Sequence, residues 1–447
     1  MPPTIAARPG ADCRRASFIW RRRPAIGRDT PISLLCLAFG PLIYAESLGT
    51  VAAMLLLAGA ALVLPRPRGV PVIAKTIRAL AVVAPLLAWM LASATWSPDG
   101  EASASLMLRF CALLSAGTLL VTSFGVLPLE RLRRPLTALA VGLSAAGAAV
   151  AADLPLGGHL ARVLHGPLPE GFDPALEYGR AATLHAILLI PILIGLVGLR
   201  APRLGAGCAL LGAAAILETS SLSAKTALAV GVLCFAMVFI LPQLRWAGLA
   251  VLGFGAVALP AMFPMKLDPG ATCWLADHKP SALHRLEIWS FVAERIEQRP
   301  IAGWGLDAAR RLPGGAAPVI IHQCDAAGRP HDLALSSVIL PLHPHNAILQ
   351  VWLELGGVGI VLSFGPLIAL FQNAFRAAAW RSRLTQATIS GSAAAAVSVA
   401  LVSFGIWQEW FLSGLFVVAA FVVLAARLSG AAGGETIFSK AGALGVE

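Results

Sequence analysis

Charged residues are scarce in this sequence: they make up only 13% of its 447 positions, whereas hydrophobic residues make up 57%. The mean hydropathy is +0.78. This composition excludes a soluble globular protein and indicates a polytopic membrane protein. The formal net charge is +11, but no interleaved basic and aromatic pattern and no known nucleic-acid motif accompanies it. We therefore expect no nucleic-acid partner.

Several chemical signatures are also missing. The sequence contains no C-x-x-C or H-x-x-x-H spacing and no D-x-D element of the kind that holds a metal with a sugar nucleotide. These absences argue against a metal site, and we expect neither a metal nor a cofactor. No internal repeat indicates the inverted halves of a transporter.

Apolar runs long enough to cross ~30 Å of hydrocarbon predict an all-α fold with about twelve transmembrane helices. The predicted spans are 31–47, 49–64, 76–95, 105–126, 135–153, 180–199, 203–217, 223–242, 245–264, 346–371, 384–406 and 408–427. The chain then divides into a basic tail (1–30), nine spans (31–264), one large loop (265–345), three spans (346–427) and a second tail (428–447).

The distribution of charge orients these spans, because Lys and Arg are retained on the cytoplasmic side of a membrane. With the N terminus inside, the cytoplasmic segments hold 22 of the 34 Lys and Arg residues but only 5 of the 23 Asp and Glu residues. Both termini are therefore predicted to be cytoplasmic. The large loop is predicted to lie on the opposite, outer side.

The large loop contains an amphipathic stretch from Ser281 to Gln298, which predicts a helix lying on the membrane surface. Two of the seven cysteines, Cys273 and Cys324, fall in this loop. In an oxidising compartment they can form a disulfide, although two unpaired thiols fit the sequence equally well.

Three cations are predicted at the outer ends of spans or in the loop: Arg180, Lys225 and Arg285. Cations in such positions are costly unless they bind something, and together these three can hold a diphosphate. The alternative is that each extends to the interface or pairs with an acid such as Glu177 or Glu218.

A long apolar run begins at His345, close to His343 and Pro344. If the run is helical from its first residue, one face carries an imidazole at the top and two glycines below. That face comprises His345, Leu349, Trp352, Gly356 and Gly359. His343 precedes Pro344 and is expected to cap or line the entrance.

At these residues the sequence resembles the O-antigen ligase superfamily of bacterial membrane glycosyltransferases. His345, Asn346, nine residues, Gly356, two residues and Gly359 fit a motif of that superfamily.

Two further elements carry the resemblance. Arg285 and Trp289 fit its R-x-x-x-W segment, and the run at 299–310 fits the P-h-x-G-x-G element that follows, where h is apolar. Ser223 and Lys225 occupy the place of a commoner Ser-Arg-Gly element, with lysine in place of arginine.

The resemblance implies a GT-C-like inner-membrane enzyme that takes a glycan from undecaprenyl diphosphate at the periplasmic face, with neither metal nor nucleotide. The acceptor is the lipid A core of lipopolysaccharide in a ligase, and a second lipid-linked glycan in a polymerase of O-antigen or exopolysaccharide. A polysaccharide transporter or flippase is the alternative from another class. Membrane lipids are further expected partners.

The resemblance also implies roles for individual residues. His345 would take the acceptor proton in an inverting displacement, while Arg180 and Arg285 would stabilise the departing diphosphate. Substrate contacts are expected from Lys225, Asn346, Trp289 and His343. Gly356 and Gly359 would let another helix or the isoprenoid chain approach closely.

Overall fold

The fold is described from a computed structural model covering residues 29–65, 69–166, 172–262, 269–324 and 330–443. Within these ranges the helices are α1 (Thr30–Ala45), α2 (Gly49–Val63), α3 (Val72–Ser93), α4 (Gly100–Val126), α5 (Leu129–Asp153), α6 (His159–His165), α7 (Gly179–Gly198), α8 (Pro202–Glu218), α9 (Leu222–Ile240), α10 (Leu244–Ala258), α11 (Pro269–His278), α12 (Pro280–Gln298), α13 (Ala347–Arg376), α14 (Arg383–Val402) and α15 (Glu409–Ala443). Two strands, β1 (Pro318–Cys324) and β2 (Pro330–Val338), form one antiparallel pair.

The helical pattern confirms an all-α polytopic membrane protein. Among the described residues, nine helices are long and apolar enough to cross a membrane, and the apolar helices α1 and α2 are shorter. Each of the twelve predicted spans coincides with a helix: the nine long helices, α1, α2 and α8. Helix α8 has 17 residues. Twelve membrane crossings, their orientation and the predicted domain boundaries stay predictions.

Helix α7 forms the centre of the main bundle. Most of its residues are buried, and it contacts α8, α9, α14 and α15. Its His185 accepts or donates a hydrogen bond at 3.0 Å to the hydroxyl of Tyr44 in α1. The apolar core of the bundle includes Phe39, Phe124, Phe411 and Leu188, which are completely buried.

The described residues of the large loop contain the helices α11 and α12 and the strands β1 and β2. The predicted amphipathic helix is confirmed as α12, which packs its apolar face against α13 through Ile288, Val292, Leu349 and Leu353. The hairpin of β1 and β2 was not predicted, although the β-branched run at 319–321 is typical of a strand. A position of α12 on the membrane surface stays a prediction.

The prediction of one helix running uninterrupted from His345 is wrong in two respects. The helix begins at Ala347, and Asn346 is its N-cap, with a side-chain oxygen that accepts from the backbone N–H of Leu349 at 3.0 Å. It then breaks at Gly356, where φ is +65° and ψ is −167°. The proposed face from His345 to Gly359 is therefore not continuous.

Residues 300–305 form backbone hydrogen bonds with the helix on both sides of the break at Gly356. We call this pairing the glycine clasp. The N–H groups of Gly357 and Val358 donate to the carbonyls of Pro300 and Ile301 at 2.8 and 3.3 Å. In return, the carbonyls of Leu353 and Glu354 accept from residues 304 and 305, both at 2.8 Å. The backbone groups that the break frees are thus hydrogen-bonded, as burial requires.

The clasp explains why two glycine motifs occur in this chain. A Cβ on Gly356 would lie 2.2 Å from the carbonyl oxygen of Ile301, and one on Gly303 would lie 2.5 Å from the carbonyl carbon of Glu354. Gly356 therefore packs against the loop, where the sequence predicted a second helix or a lipid chain. Gly359 is tight against Leu355 of its own helix.

Candidate functional site

His345 lies in the turn immediately before α13, in the left-handed backbone region at φ +56°. Its Nδ1 is 2.5 Å from the carbonyl oxygen of Ser403, in the connection between α14 and α15. A carbonyl can only accept, so Nδ1 carries the proton and the neutral ring keeps its lone pair on Nε2. The backbone of Ser403 thereby selects the tautomer that can act as a base through Nε2.

Ser403 also connects this histidine to the start of α9. Its hydroxyl donates to Ser223 Oγ at 3.1 Å, and Ser223 is 3.2 Å from the hydroxyl of Ser221, the N-cap of α9. Lys225 follows in the first turn of the same helix. The element at 223–225 is thus brought to the histidine through Ser403, a residue that the sequence reasoning missed.

Arg285 lies on α12 close enough to His345 to affect its protonation. Burial, chiefly, and then the positive charge of Arg285 and the neighbouring His284 lower the pKa of His345, while the hydrogen bond to Ser403 opposes the shift. Burial also lowers the pKa of Arg285. Among the described residues, Arg285 makes no carboxylate ion pair, and its guanidinium donates to the carbonyl of Ser281 at 3.4 Å.

Trp289 and Asn346 hold the histidine turn in place. The indole N–H of Trp289 donates to the carbonyl of Pro344 at 2.8 Å, directly before His345. Asn346 is 3% exposed and its oxygen is used for capping α13. The structure therefore gives both residues a positioning role, where the sequence predicted contact with substrate.

His343 is packed against His345, with ring centroids 4.4 Å apart. Its Nδ1 accepts from the backbone N–H of His345 at 3.2 Å, and its Nε2 faces the side chain of Gln408 at 3.0 Å. Burial, together with the charges of His345 and Arg310, lowers the pKa of His343 to about 3. His343 is therefore neutral, and it lines a cavity.

A cavity of about 620 Å³ lies on the far side of His343. It is lined by residues near the ends of several helices and by residues of the large loop, among them Arg109, Arg180, Asp307, Arg310, His343, Trp407, Gln408, Glu409 and Trp410. Among the described residues, His345, Arg285 and Lys225 do not line it. The structure thus separates Arg180 from the other two predicted cations.

The cations of the cavity differ in their partners. Arg109 pairs with Glu409 at 3.2 Å, and Arg310 pairs with Asp307 at 2.9 Å. Arg180 has no carboxylate partner in the described part of the chain; it donates to Ser47 Oγ at 3.2 Å and lies 6.0 Å from the Trp410 ring. The predicted alternative of pairing with Glu177 does not occur, because Glu177 faces His165 at 4.0 Å.

Glu354 connects the cavity wall to the glycine clasp. Its carboxylate accepts from Trp407 Nε1 at 2.7 Å, from Gln350 Nε2 at 3.1 Å and from the backbone N–H of Asp307 at 2.8 Å. Gln350 also accepts from the backbone N–H of Ile406 at 3.0 Å. Glu354 does not contact His345, in agreement with its distance along the sequence, but it fixes the connection that contains Ser403 and Gln408.

Cys273 is disulfide-bonded. Cys324 ends β1, and its side chain lies outside the described residues, so a bond between these two cysteines stays a prediction. No group of three or more His, Cys, Asp or Glu side chains that could hold a metal ion occurs among the described residues.

The helices and the site define a multi-pass membrane protein in which a structured loop places histidine and arginine side chains at the ends of the spans. Residues 175–364 match the family model described as O-Antigen ligase. This range of the chain is similar to the O-antigen ligase family, and it contains the clasp, α12, His345 and the start of α9.

Curated relatives agree with this assignment. Proteins of Rickettsia conorii, Rickettsia prowazekii and Rickettsia typhi, each named "Putative polysaccharide ligase", are 33%, 33% and 34% identical to this chain over 148 residues. The aligned part covers 31% of this chain and about a third of each relative (31%, 32% and 32%).

Proposed function

We propose that the protein is a glycosyltransferase that moves a glycan from undecaprenyl diphosphate to an acceptor hydroxyl at the periplasmic face of the bacterial inner membrane. The observation that carries this proposal is the contact between His345 Nδ1 and the Ser403 carbonyl, from which the tautomer follows. Its Nδ1 proton is committed to the Ser403 carbonyl, and its Nε2 lone pair remains available beside Arg285. A base next to a cation suits transfer from a lipid diphosphate.

In the proposed reaction, Nε2 of His345 accepts the proton of the acceptor hydroxyl. The oxygen attacks the anomeric carbon from the side opposite the diphosphate, which forms the new glycosidic bond as the bond to the diphosphate breaks. The electron pair leaves with undecaprenyl diphosphate, and the anomeric configuration inverts. General-base assistance of this kind contributes roughly 10²- to 10⁴-fold in rate.

Arg285 and Lys225 are the cations proposed to stabilise the charge that develops on the diphosphate. Arg285 has planar N–H donors for this role, and its lack of an ion pair among the described residues leaves those donors available. Lys225 acts as a point charge at the start of α9. As the family resemblance implies, we propose that the reaction needs no metal and that these two cations supply the charge stabilisation.

The cavity behind His343 is the proposed site for the glycan. Trp407 and Trp410 provide apolar faces, while Gln408, Arg180 and Arg310 provide hydrogen-bond donors, which is a suitable lining for a sugar chain. We therefore assign Arg180 to binding of the glycan, whereas the sequence predicted that it stabilises the departing diphosphate. O-antigen ligation to the lipid A core is the proposed overall reaction.

The test uses purified protein with an undecaprenyl-diphosphate-linked glycan and a lipid A core acceptor. Release of undecaprenyl diphosphate together with glycan-modified acceptor, undiminished in a chelator, is the expected result. Movement of the intact lipid-linked glycan across a vesicle membrane without its cleavage would contradict transferase activity and indicate a flippase.

Complementation separates the two transferase reactions. In a ligase-null strain the chain is expected to restore long glycans on the lipid A core, seen as a lipopolysaccharide ladder on a gel. Restored chain length in a polymerase-null strain, without core attachment in the first strain, would assign the protein as a polymerase.

A further inference from the structure

A narrow apolar groove lies at the opposite end of the bundle from the histidine site. It has a volume of about 110 Å³ and runs between α9, α10, α13 and α14, with Val238, Leu249, Leu252 and Phe371 among its lining residues. Protein interiors are close-packed and apolar gaps are not filled by water, so a groove of this lining suits an apolar occupant.

Helix α10 stands off the rest of the bundle along this groove. Among its residues only Ala256 is buried. A Cβ on Gly248, which lines the groove, would meet no atom within 4 Å. The lining from Leu244 to Leu252 extends about 12 Å at 1.5 Å per residue, which matches a segment of an extended acyl chain.

Arg245 lines the groove, and Arg376 lies near the same aromatic ring as Arg245. The guanidinium carbon of Arg245 is 4.9 Å from the centre of Trp246, and that of Arg376 is 5.8 Å from the same ring. Neither arginine pairs with a carboxylate in the part of the chain that the structure describes. Two neighbouring positive charges without an acid favour an anionic ligand.

The hydrogen bonds of Arg245 point to the same ligand. One terminal nitrogen of its guanidinium donates to the carbonyl of Pro242. Its Nε is buried and has no hydrogen-bond partner among the described residues. A buried N–H without a partner costs free energy, and a phosphate oxygen would satisfy it.

We propose that this groove binds an anionic phospholipid, with an acyl chain between α9 and α10 and the phosphate against Arg245 and Arg376. Both arginines lie at the arginine-rich end of the bundle, which the charge pattern predicts to be cytoplasmic, where anionic lipids attract basic side chains. The site is independent of the proposed transfer reaction, since it uses none of the residues around His345.

The experiment measures lipid retention by native mass spectrometry of the full chain in detergent. The probes are dioleoyl phosphatidylglycerol and dioleoyl phosphatidylcholine, which share acyl chains and differ in net charge. The intact chain is expected to retain one phosphatidylglycerol, and to prefer it over phosphatidylcholine by at least about fivefold, the effect of one basic residue near anionic lipid.

A matched pair of variants tests the groove itself. Gly248→Leu fills the open space and is expected to abolish retention. Gly255→Leu adds the same side chain at another glycine of α10 that has no atom within 4 Å of its Cβ and does not line the groove, and it is expected to bind like the unmodified chain. Equal retention by the two variants would overturn the proposal.

Arg245→Gln tests the headgroup separately and does not depend on filling the groove. It is expected to lose the preference for phosphatidylglycerol, whereas Arg245→Lys keeps part of it. An unchanged preference in Arg245→Gln would overturn the anionic assignment. Dimers that disappear in Gly248→Leu would instead place a second copy of the chain in the groove.

Discussion

The Nδ1 atom of His345 lies 2.5 Å from the carbonyl oxygen of Ser403, so the backbone of the α14–α15 connection determines which nitrogen of the imidazole is basic. These residues are 58 positions apart in sequence. Because the acceptor is a main-chain carbonyl, no side-chain substitution at 403 removes it directly. The tautomer therefore depends on the position of the connection, which Glu354 and Gln350 hold.

His345→Ala is expected to lower glycan transfer by roughly 10²- to 10⁴-fold, because the proton acceptor is lost. Transfer is measured with purified protein after confirming membrane insertion and a monodisperse elution profile. His345→Gln keeps hydrogen-bonding capacity but cannot act as a base, and it should be equally inactive. Full transfer by either variant would assign the base to another group.

Arg285→Gln is expected to move the acidic limb of the pH–rate profile to higher pH. The positive charge of Arg285 disfavours the imidazolium and lowers the pKa of His345. The base works only when neutral, so activity falls as pH drops through this pKa. Removing the charge of Arg285 raises the pKa of His345 towards its ordinary value near 6.5. Activity is then lost at a higher pH than in the unmodified chain.

The matched control for that profile is Lys279→Gln, which removes a positive charge from the exposed start of the same helix. Its acidic limb should coincide with that of the unmodified chain. If the acidic limb of the Arg285→Gln profile coincides with that of the unmodified chain, the charge of Arg285 does not act on the titrating base.

Gly356→Ala is expected to destabilise the protein and lower its apparent melting temperature. At φ +65° and ψ −167° the backbone favours glycine alone, at a cost of about 1–3 kcal/mol for another residue. The added Cβ would also collide with the Ile301 carbonyl. Gly365→Ala in the same helix, with no atom within 4 Å of its Cβ, should have little effect.

Arg180→Gln is expected to raise the apparent KM for the lipid-linked glycan donor while leaving the pH profile unchanged, because Arg180 lines the cavity proposed for the glycan and does not act on His345. Arg162→Gln, at an exposed position of α6, is the control. A shifted pH profile with an unaltered KM would contradict the separation of the two cation groups.

Cys324→Ala is expected to leave the Cys273 thiol reactive towards maleimide in oxidised membranes, because Cys273 is disulfide-bonded and Cys324 is its predicted partner. Cys13→Ala should leave Cys273 protected. Mass spectrometry of labelled peptides distinguishes the two variants, and labelling of Cys273 in Cys13→Ala alone would identify the other pairing.

Much of the helical fold could be predicted because the length of an apolar run is a local property of the sequence. The same holds for α12, whose apolar positions repeat at helical spacing. The break at Gly356 could not be predicted in this way, since local hydropathy is uninterrupted there and the break is stabilised by residues some 50 positions earlier. The glycines at 303 and 305 and those at 356 and 359 could each be recognised in the sequence. Their contact could not, because it forms only in the tertiary structure.

The site was predicted in part. His345 and Arg285 are brought together, whereas Arg180 belongs to the cavity and Asn346 is an N-cap. Ser403 was missed because a backbone carbonyl leaves no signature in side-chain chemistry. Gln408 and Glu354 offered a weak signal, as polar residues beside or within apolar spans, where such residues are rare and functional.

The break in α13 separates the register of the two halves of this helix. An inserted residue in a continuous helix would rotate everything beyond it by about 100°. Beyond Val358, the same insertion would turn only the later part of the helix, because residues 300–305 hold the backbone on both sides of the break from outside the helix. The orientation of His345 therefore does not depend on the length of the later part of α13. Spans of different length can present the same site.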